Sequence, residues 1–141
     1  NFLILIDSDT KAFDQLMSSF RLPKKTDQEI KFRNQEIIKM SKLVTEIPFT
    51  TLEKSLDALE LVFEVLAINN KNCISDVGVA AEMAYSCAYG AYYNVKINLI
   101  DLKEDQKYCK KILKESEKII SQMDDKISSI RNKIIEGLNN G

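Results

Sequence analysis

Four polar residues on one predicted helix have types and spacings that suit the binding of a polar heterocycle. Ser75 is a good helix N-cap, and Asp76 places a carboxylate in the first turn, where backbone N–H groups are unpaired. Asn94 and Asn98 are four residues apart and therefore share a face near the end of the same helix. Their amides offer both donors and acceptors. The same four residues equally fit a tightly packed helix with a capped start and two surface asparagines.

Small residues fill the helix between these two ends. They are Gly78, Ala80, Ala81, Ala84, Ser86, Cys87, Ala88, Gly90 and Ala91. Because so little side chain allows neighbouring helices to come close, this helix is predicted to lie at the centre of the domain.

A second carboxylate, Asp9, interrupts an apolar stripe on the first predicted helix, Phe2–Phe20. The stripe consists of Phe2, Ile6, Phe13, Leu16 and Phe20, widened by Leu5 and Ala12. A carboxylate on a buried face is costly unless it is paired or used. Asp9 is therefore either a buried functional group or an edge residue whose side chain reaches solvent. Asp7 lies close by but off the stripe.

The amino-acid composition excludes several classes of partner and of catalytic site. The 141 residues suit one domain, and 20 Lys and Arg against 21 Asp and Glu give a net charge of −1. That balance argues against nucleic acid or an anionic membrane as a partner. The chain has no histidine, which excludes the usual zinc sites and histidine catalysis, and we expect no metal and no cofactor. Three cysteines without a CxxC pattern, and no transmembrane run or signal peptide, favour a cytoplasmic protein.

Helical periodicity extends over almost the whole chain and predicts an all-α bundle of about five helices. Thr26 and Glu29 form a capping box that starts a second helix, which ends near Thr45. Pro48 is predicted to begin the third helix. A long C-terminal helix is either broken near Met123 or packed along its length against a partner. The predicted ranges are about 2–20, 27–45, 48–68, 75–98 and 102–136.

Four segments together resemble the cyclodeaminase/cyclohydrolase family, which includes the C-terminal half of formiminotransferase-cyclodeaminase and stand-alone bacterial methenyltetrahydrofolate cyclohydrolases. The segments are NFLILIDSDTKAFD from Asn1, RLPK from Arg21, Asn70 with SDVGVAA from Ser75, and GAYYNVKIN from Gly90. They follow the family's order and approximate spacing. Residues 1–141 are expected to form one helical domain that lacks the family's upstream glycine-rich segment, and Asn69 stands where the family usually has glycine.

The resemblance implies an enzyme that acts on a one-carbon derivative of tetrahydrofolate, as either a cyclodeaminase or a cyclohydrolase. It implies Asp9 and Asp76 as the catalytic carboxylates. It also implies a set of substrate-binding residues: Asp7, Lys24, Asn70, Ser75, Asn94 and Asn98. Both catalytic carboxylates are expected to be more buried than a typical aspartate. The alternatives are a catalytically silent helical protein that keeps only the fold, and a coiled-coil adaptor built on the long last helix.

The first and last helices also predict a symmetric homodimer. Leu3, Ile4 and Leu5 crowd one turn of the first helix, and the last helix carries an apolar seam from Cys109 to Leu138. The shorter helices are expected to be too few to cover that seam, and a twofold partner would cover it. Alternatively, helices upstream of Asn1 would cover it within one subunit.

Overall fold

The computed structural model describes residues 2–68 and 73–139, which form four helices and no strand. Their bounds are α1 Phe2–Phe20, α2 Asp27–Ala67, α3 Ile74–Ile100 and α4 Gln106–Asn139. The all-α prediction is confirmed, but the expectation of about five helices is wrong. Within these ranges, no helix is both long enough and apolar enough to cross a membrane.

The number of helices differs because the second and third predicted helices form one continuous helix, α2. This 41-residue helix starts at the predicted capping box, in which the Thr26 hydroxyl accepts from the Glu29 N–H and the Glu29 carboxylate accepts from the Thr26 N–H. It then continues through Pro48 instead of ending near Thr45. Proline removes one intrahelical hydrogen bond, and the Asn98 side chain donates to the carbonyl of Val44 at this place.

The centre of the bundle is α2 rather than α3, because α2 packs extensively against all three other helices. The small residues of α3 nevertheless allow a neighbouring helix to pack closely, as predicted. Ala81, Ala88 and Ala91 are buried in the main core against Leu52 and Leu59 of α2. The prediction of close packing is therefore correct, and the prediction that α3 is the central element is wrong.

The last helix is continuous, and its apolar seam forms part of the core of the subunit. Asp105 precedes α4, and its carboxylate accepts from the Tyr108 N–H and pairs with Lys42 at 2.6 Å. The side chains that α4 buries against α2 and α3 are Ile112, Ile120, Met123, Ile127 and Ile130. The expectation that this seam lies exposed and joins two subunits is wrong, because long α2 and α3 together cover it; only its end, at Leu138, is exposed.

The first helix packs in a different rotational phase from the one predicted. It buries Ala12, Leu16 and Ser19 against α2, near Val44. Four of the five side chains of the predicted stripe are exposed instead: Phe2, Ile6, Phe13 and Phe20. The small residues Ala12 and Ser19 let the two helices approach closely, so the bulky face is turned away from α2.

Candidate functional site

A groove of about 450 Å³ lies where α1, α2 and α3 meet. From α1 it is lined by Phe2, Leu5, Ile6, Asp9 and Thr10; from α2 by Ile47, Pro48 and Thr51; and from α3 by Cys87, Gly90, Ala91 and Asn94. Its walls are mainly apolar, with a few polar groups, which is the usual make-up of a small-molecule site.

The groove brings together two of the predicted site residues, Asp9 on α1 and Asn94 on α3. Asp9 and Asn94 are 85 residues apart in the sequence and belong to two different segments of the family resemblance. Both side chains are exposed in the single chain, so the predicted burial of Asp9 is wrong there. A carboxylate on one wall and an amide on the other can hold a cationic heterocycle, because the first offers negative charge and the second both donors and acceptors.

Gly90 keeps the α3 wall of the groove open. Beyond the nearby backbone of α3 itself, a Cβ atom added at Gly90 would meet no heavy atom of the described residues within 4 Å, whereas one added at Gly78 would lie 3.2 Å from Ile134 Cδ1. Glycine inside a helix lowers its stability relative to alanine. A side chain at position 78 would require Ile134 to shift by a few tenths of an ångström, whereas at position 90 the described residues leave open space beside the groove.

Asp76 and Ser75 lie at the start of α3, away from the groove. Cys87, the groove residue of α3 nearest to them in sequence, follows Asp76 by eleven residues, or roughly 16 Å along the helix. Asp76 is in the first turn, as predicted, but Cys73 rather than Ser75 is the N-cap residue. Both side chains are exposed, so the predicted burial of Asp76 is also wrong for the single chain.

Two further predicted binding residues lie outside the groove lining, and a third cannot be placed. Asp7 is exposed on α1, and Lys24 is exposed in the turn between α1 and α2. Asn70 lies outside the described residues. The structure therefore assembles only part of the predicted set within one chain.

Asn98 is half-buried, and its amide is already engaged by the protein. Its Nδ2 donates to the backbone carbonyl of Val44 over 2.7 Å. Asn94, one turn earlier, faces the groove. The two asparagines were predicted to act together on a ligand, but in the structure their side chains have different surroundings.

A second polar cluster joins α3 to α4 on another part of the bundle. The hydroxyls of Tyr85 and Tyr89 both donate to the Asp124 carboxylate, at 2.8 and 2.9 Å. The neighbouring Tyr85 hydroxyl, burial and the Asp124 carboxylate raise the pKa of Tyr89 above its ordinary value. Arg131 forms a two-point ion pair with Glu82 beside them. Because each polar group is paired within the protein, this cluster is a link between helices.

The sequence was also compared with known proteins. The sequence profile of the family described as Formiminotransferase-cyclodeaminase matches residues 1–118, which include both walls of the groove. This chain belongs to that family. The unmatched remainder is the second half of α4, which supplies core side chains such as Ile127 and Ile130.

Individual relatives carry two different names. A methenyltetrahydrofolate cyclohydrolase from Methylorubrum extorquens is 33% identical over 118 residues, which cover 84% of this chain and 56% of the relative. Formimidoyltransferase-cyclodeaminases from Gallus gallus and Rattus norvegicus are 34% and 31% identical over 106 and 101 residues, in each case 72% of this chain and 19% of the relative. The chain thus spans just over half of the first relative and about a fifth of the other two.

Proposed function

We propose that this protein acts on a one-carbon derivative of tetrahydrofolate, as a methenyltetrahydrofolate cyclohydrolase or a formimidoyltetrahydrofolate cyclodeaminase. The observation that supports this most directly is the groove, in which two separate segments of the family place Asp9 opposite Asn94. The cyclohydrolase reaction is the one to test first, because the relative with that name is matched over 56% of its length and the Gallus gallus cyclodeaminase over 19%.

The groove suits the charge of such a substrate. Both reactions pass through a tetrahedral carbon between two nitrogens, and the methenyl ring is a cationic amidinium. The Asp9 carboxylate would lie beside this cation and stabilise it, and the Asn94 amide would hydrogen-bond the mixed donor and acceptor edge of the pterin. No cofactor is needed for either reaction, since water or ammonia is the only small molecule added or released.

We further propose that the working form is a homodimer, held together by α1 and α3 rather than by α4. Both helices expose large apolar side chains; Ile6, which lines the groove, and Ile97 are 62% and 61% exposed. The others on these two helices are Phe2, Leu3, Ile4, Phe13, Phe20, Val79, Met83, Tyr93 and Ile100. An apolar surface of this extent marks an interaction site, and a twofold partner would offer the same surface in return.

A second copy would also explain how Asp76 takes part in the reaction. A general acid or base must lie within hydrogen-bond reach of the reacting atoms, so Asp9 and Asp76 of one chain cannot both serve the same substrate. Asp76 and Asn94 are 18 residues, or five full turns, apart, and therefore project from the same side of α3. Two antiparallel copies of α3 packed through this side would bring Asp76 of one copy towards Asn94 of the other.

The activity is tested by mixing the intact protein with methenyltetrahydrofolate and following its absorbance against the spontaneous rate. Faster loss supports the cyclohydrolase; ammonia release from the formimino derivative supports the cyclodeaminase. If neither reaction is accelerated while the folate still binds, the protein is a catalytically silent folate-binding member of the family.

The shared site is tested by mixing two inactive variants, Asp9→Asn and Asp76→Asn. Random exchange makes half of the dimers mixed, and each mixed dimer has one site with both carboxylates, so about a quarter of all sites should regain activity. No recovery, with exchange of subunits verified by light scattering and labelling, would mean that Asp9 and Asp76 do not meet across a dimer.

The thiols Cys87 and Cys109 are not joined in disulfides, which fits a reducing compartment. We propose on that basis that the enzyme works in the cytoplasm.

A further inference from the structure

The carbonyl of Val44 would have no hydrogen-bond donor within α2. In an α-helix the N–H of residue i+4 donates to the carbonyl of residue i, and here that residue is Pro48, which has no N–H. Val44 is 7% exposed and packs in the interface between α1 and α2. A buried carbonyl without a donor is costly, so the helix needs a substitute at this position.

Asn98 supplies the substitute from α3. Its Nδ2 lies 2.7 Å from the Val44 carbonyl oxygen, across 54 residues of sequence. The ring of an internal proline crowds the carbonyl four residues before it, which turns that oxygen towards a partner outside the helix. One amide therefore both satisfies the orphan carbonyl and ties α3 to α2 at the proline.

The same proline lines the groove. Pro48, with Ile47 and Thr51, forms the α2 wall that faces Asp9 and Asn94. The position of this wall depends on the local path of the α2 backbone around Pro48. The hydrogen bond from Asn98 on α3 fixes that path. Asn98 itself does not line the groove.

We propose that Asn98 is a positioning residue, which fixes the Pro48 segment of α2 and thereby the shape of the groove, instead of contacting the substrate. This inference rests on the proposed function for its catalytic part only. It predicts that the Asn98 hydrogen bond to Val44 is required only because residue 48 is proline. A residue with an N–H at position 48 would pair with the Val44 carbonyl itself and make that hydrogen bond dispensable.

A thermal double-mutant cycle tests the structural part without any substrate. Asn98→Leu should lower the Tm of the intact protein by roughly 4–10 °C, because it leaves the Val44 carbonyl unpaired. In a Pro48→Ala background, where the alanine N–H pairs with the Val44 carbonyl, Asn98→Leu should lower the Tm by less than half as much. Asn132→Leu, at an exposed helical position of α4 with the same change of side chain, is the control and should not lower the Tm.

Equal losses of Tm in the two backgrounds would overturn the proposal, since Asn98 would then act independently of Pro48. If Asn98→Leu alone does not fold while the double variant does, the rescue supports the proposal in the same way as a smaller loss.

Kinetics with methenyltetrahydrofolate test the positioning role. Pro48→Ala and Asn98→Leu should each lower kcat/KM by roughly tenfold or more, because both displace the same wall. The double variant should be no slower than the slower single variant. Losses that multiply, or a Pro48→Ala variant with wild-type kcat/KM, would contradict the role. A wild-type protein without turnover contradicts the proposed function instead, and the Tm values alone then decide whether Asn98 holds the Pro48 segment.

Discussion

Replacing Asp9 with asparagine measures how strongly its carboxylate acts on a cationic substrate. The exchange keeps the size of the side chain and removes its charge. Asp9 is exposed in the single chain, at the edge of the groove, so the exchange should leave the fold intact. Any effect on the reaction then reports the interaction between the carboxylate and the amidinium.

The size of the effect depends on how much water remains in the groove. Two unit charges 4 Å apart attract each other by about 1 kcal/mol in water and by about 4 kcal/mol at the effective dielectric near 20 of a partly covered site. Since each 1.36 kcal/mol is tenfold in rate, these limits correspond to about 5-fold and about 1,000-fold. We expect a loss in kcat/KM of about 100-fold or more, because the substrate and, in the proposed dimer, the second copy of the chain would cover the groove.

The assay compares Asp9→Asn with Asp14→Asn. Asp14 is also exposed on α1 but does not line the groove, and its replacement changes the net charge by the same amount. Both variants should unfold within about 2 °C of the wild type, since exposed positions contribute little to stability. A loss of 5-fold or less for Asp9→Asn, or an equal loss for Asp14→Asn that disappears with added salt, would refute a direct role for Asp9.

Three further predictions concern the bundle that carries the groove. Ile127→Glu should abolish folding rather than separate folded subunits, because Ile127 is 1% exposed in the main core; a folded monomer in circular dichroism and light scattering would contradict this. Ser41→Ala should raise the free energy of unfolding by about 1–2 kcal/mol, since the buried Ser41 hydroxyl bonds to no described residue. Ser116→Ala removes a 2.8 Å hydrogen bond to the backbone and should not raise it. Equal urea midpoints for the two variants would contradict this prediction. The pKa of Tyr89 is raised in the folded state, so the unfolded chain loses the Tyr89 proton at a lower pH than the folded protein does. The free energy of unfolding should therefore fall as the pH rises above 10. Urea titrations should show a smaller fall for Asp124→Asn, which removes the carboxylate that accepts from the Tyr89 hydroxyl.

The extent of each helix followed from local sequence signals, with one exception. The capping box at Thr26 and Glu29 starts α2 where it was predicted, because its two hydrogen bonds are made between residues three apart. The sequence predicts a helix start at Pro48, because the first turn of a helix is where proline is most often found. It lies inside α2 because Asn98, fifty residues later, donates to the carbonyl that the proline leaves free. A contact of that range leaves no trace in a local pattern.

The rotational phase of α1 was predicted wrongly for a related reason. Hydrophobic periodicity selects the bulkiest face, whereas α1 packs through Ala12, Leu16 and Ser19, of which Leu16 is the only large side chain. Its bulky face is turned outwards, where Phe2, Ile6 and Asp9 line the groove. The polar residue in the stripe therefore lies in the lining of the groove, although the stripe is not the core.

Part of the candidate site follows from the sequence through the family motifs. They led to Asp9 and Asn94, which the fold brings to the same groove. They could not tell Asn94 from Asn98, since both share one helix face and only the position of Pro48 distinguishes their surroundings. Gly90 stands out in the sequence for its small size, but only the packing shows open space beside it among the described residues.

The central claim is that the groove between α1 and α3 binds the reacting part of a tetrahydrofolate. The most direct measurement is a crystal structure of the intact protein with a stable one-carbon tetrahydrofolate such as the 5-formyl derivative. The account predicts the pterin in the groove beside Pro48, with its one-carbon group within about 4 Å of the Asp9 carboxylate. A folate bound elsewhere on the protein, without contact to Asp9 or Asn94, would contradict it.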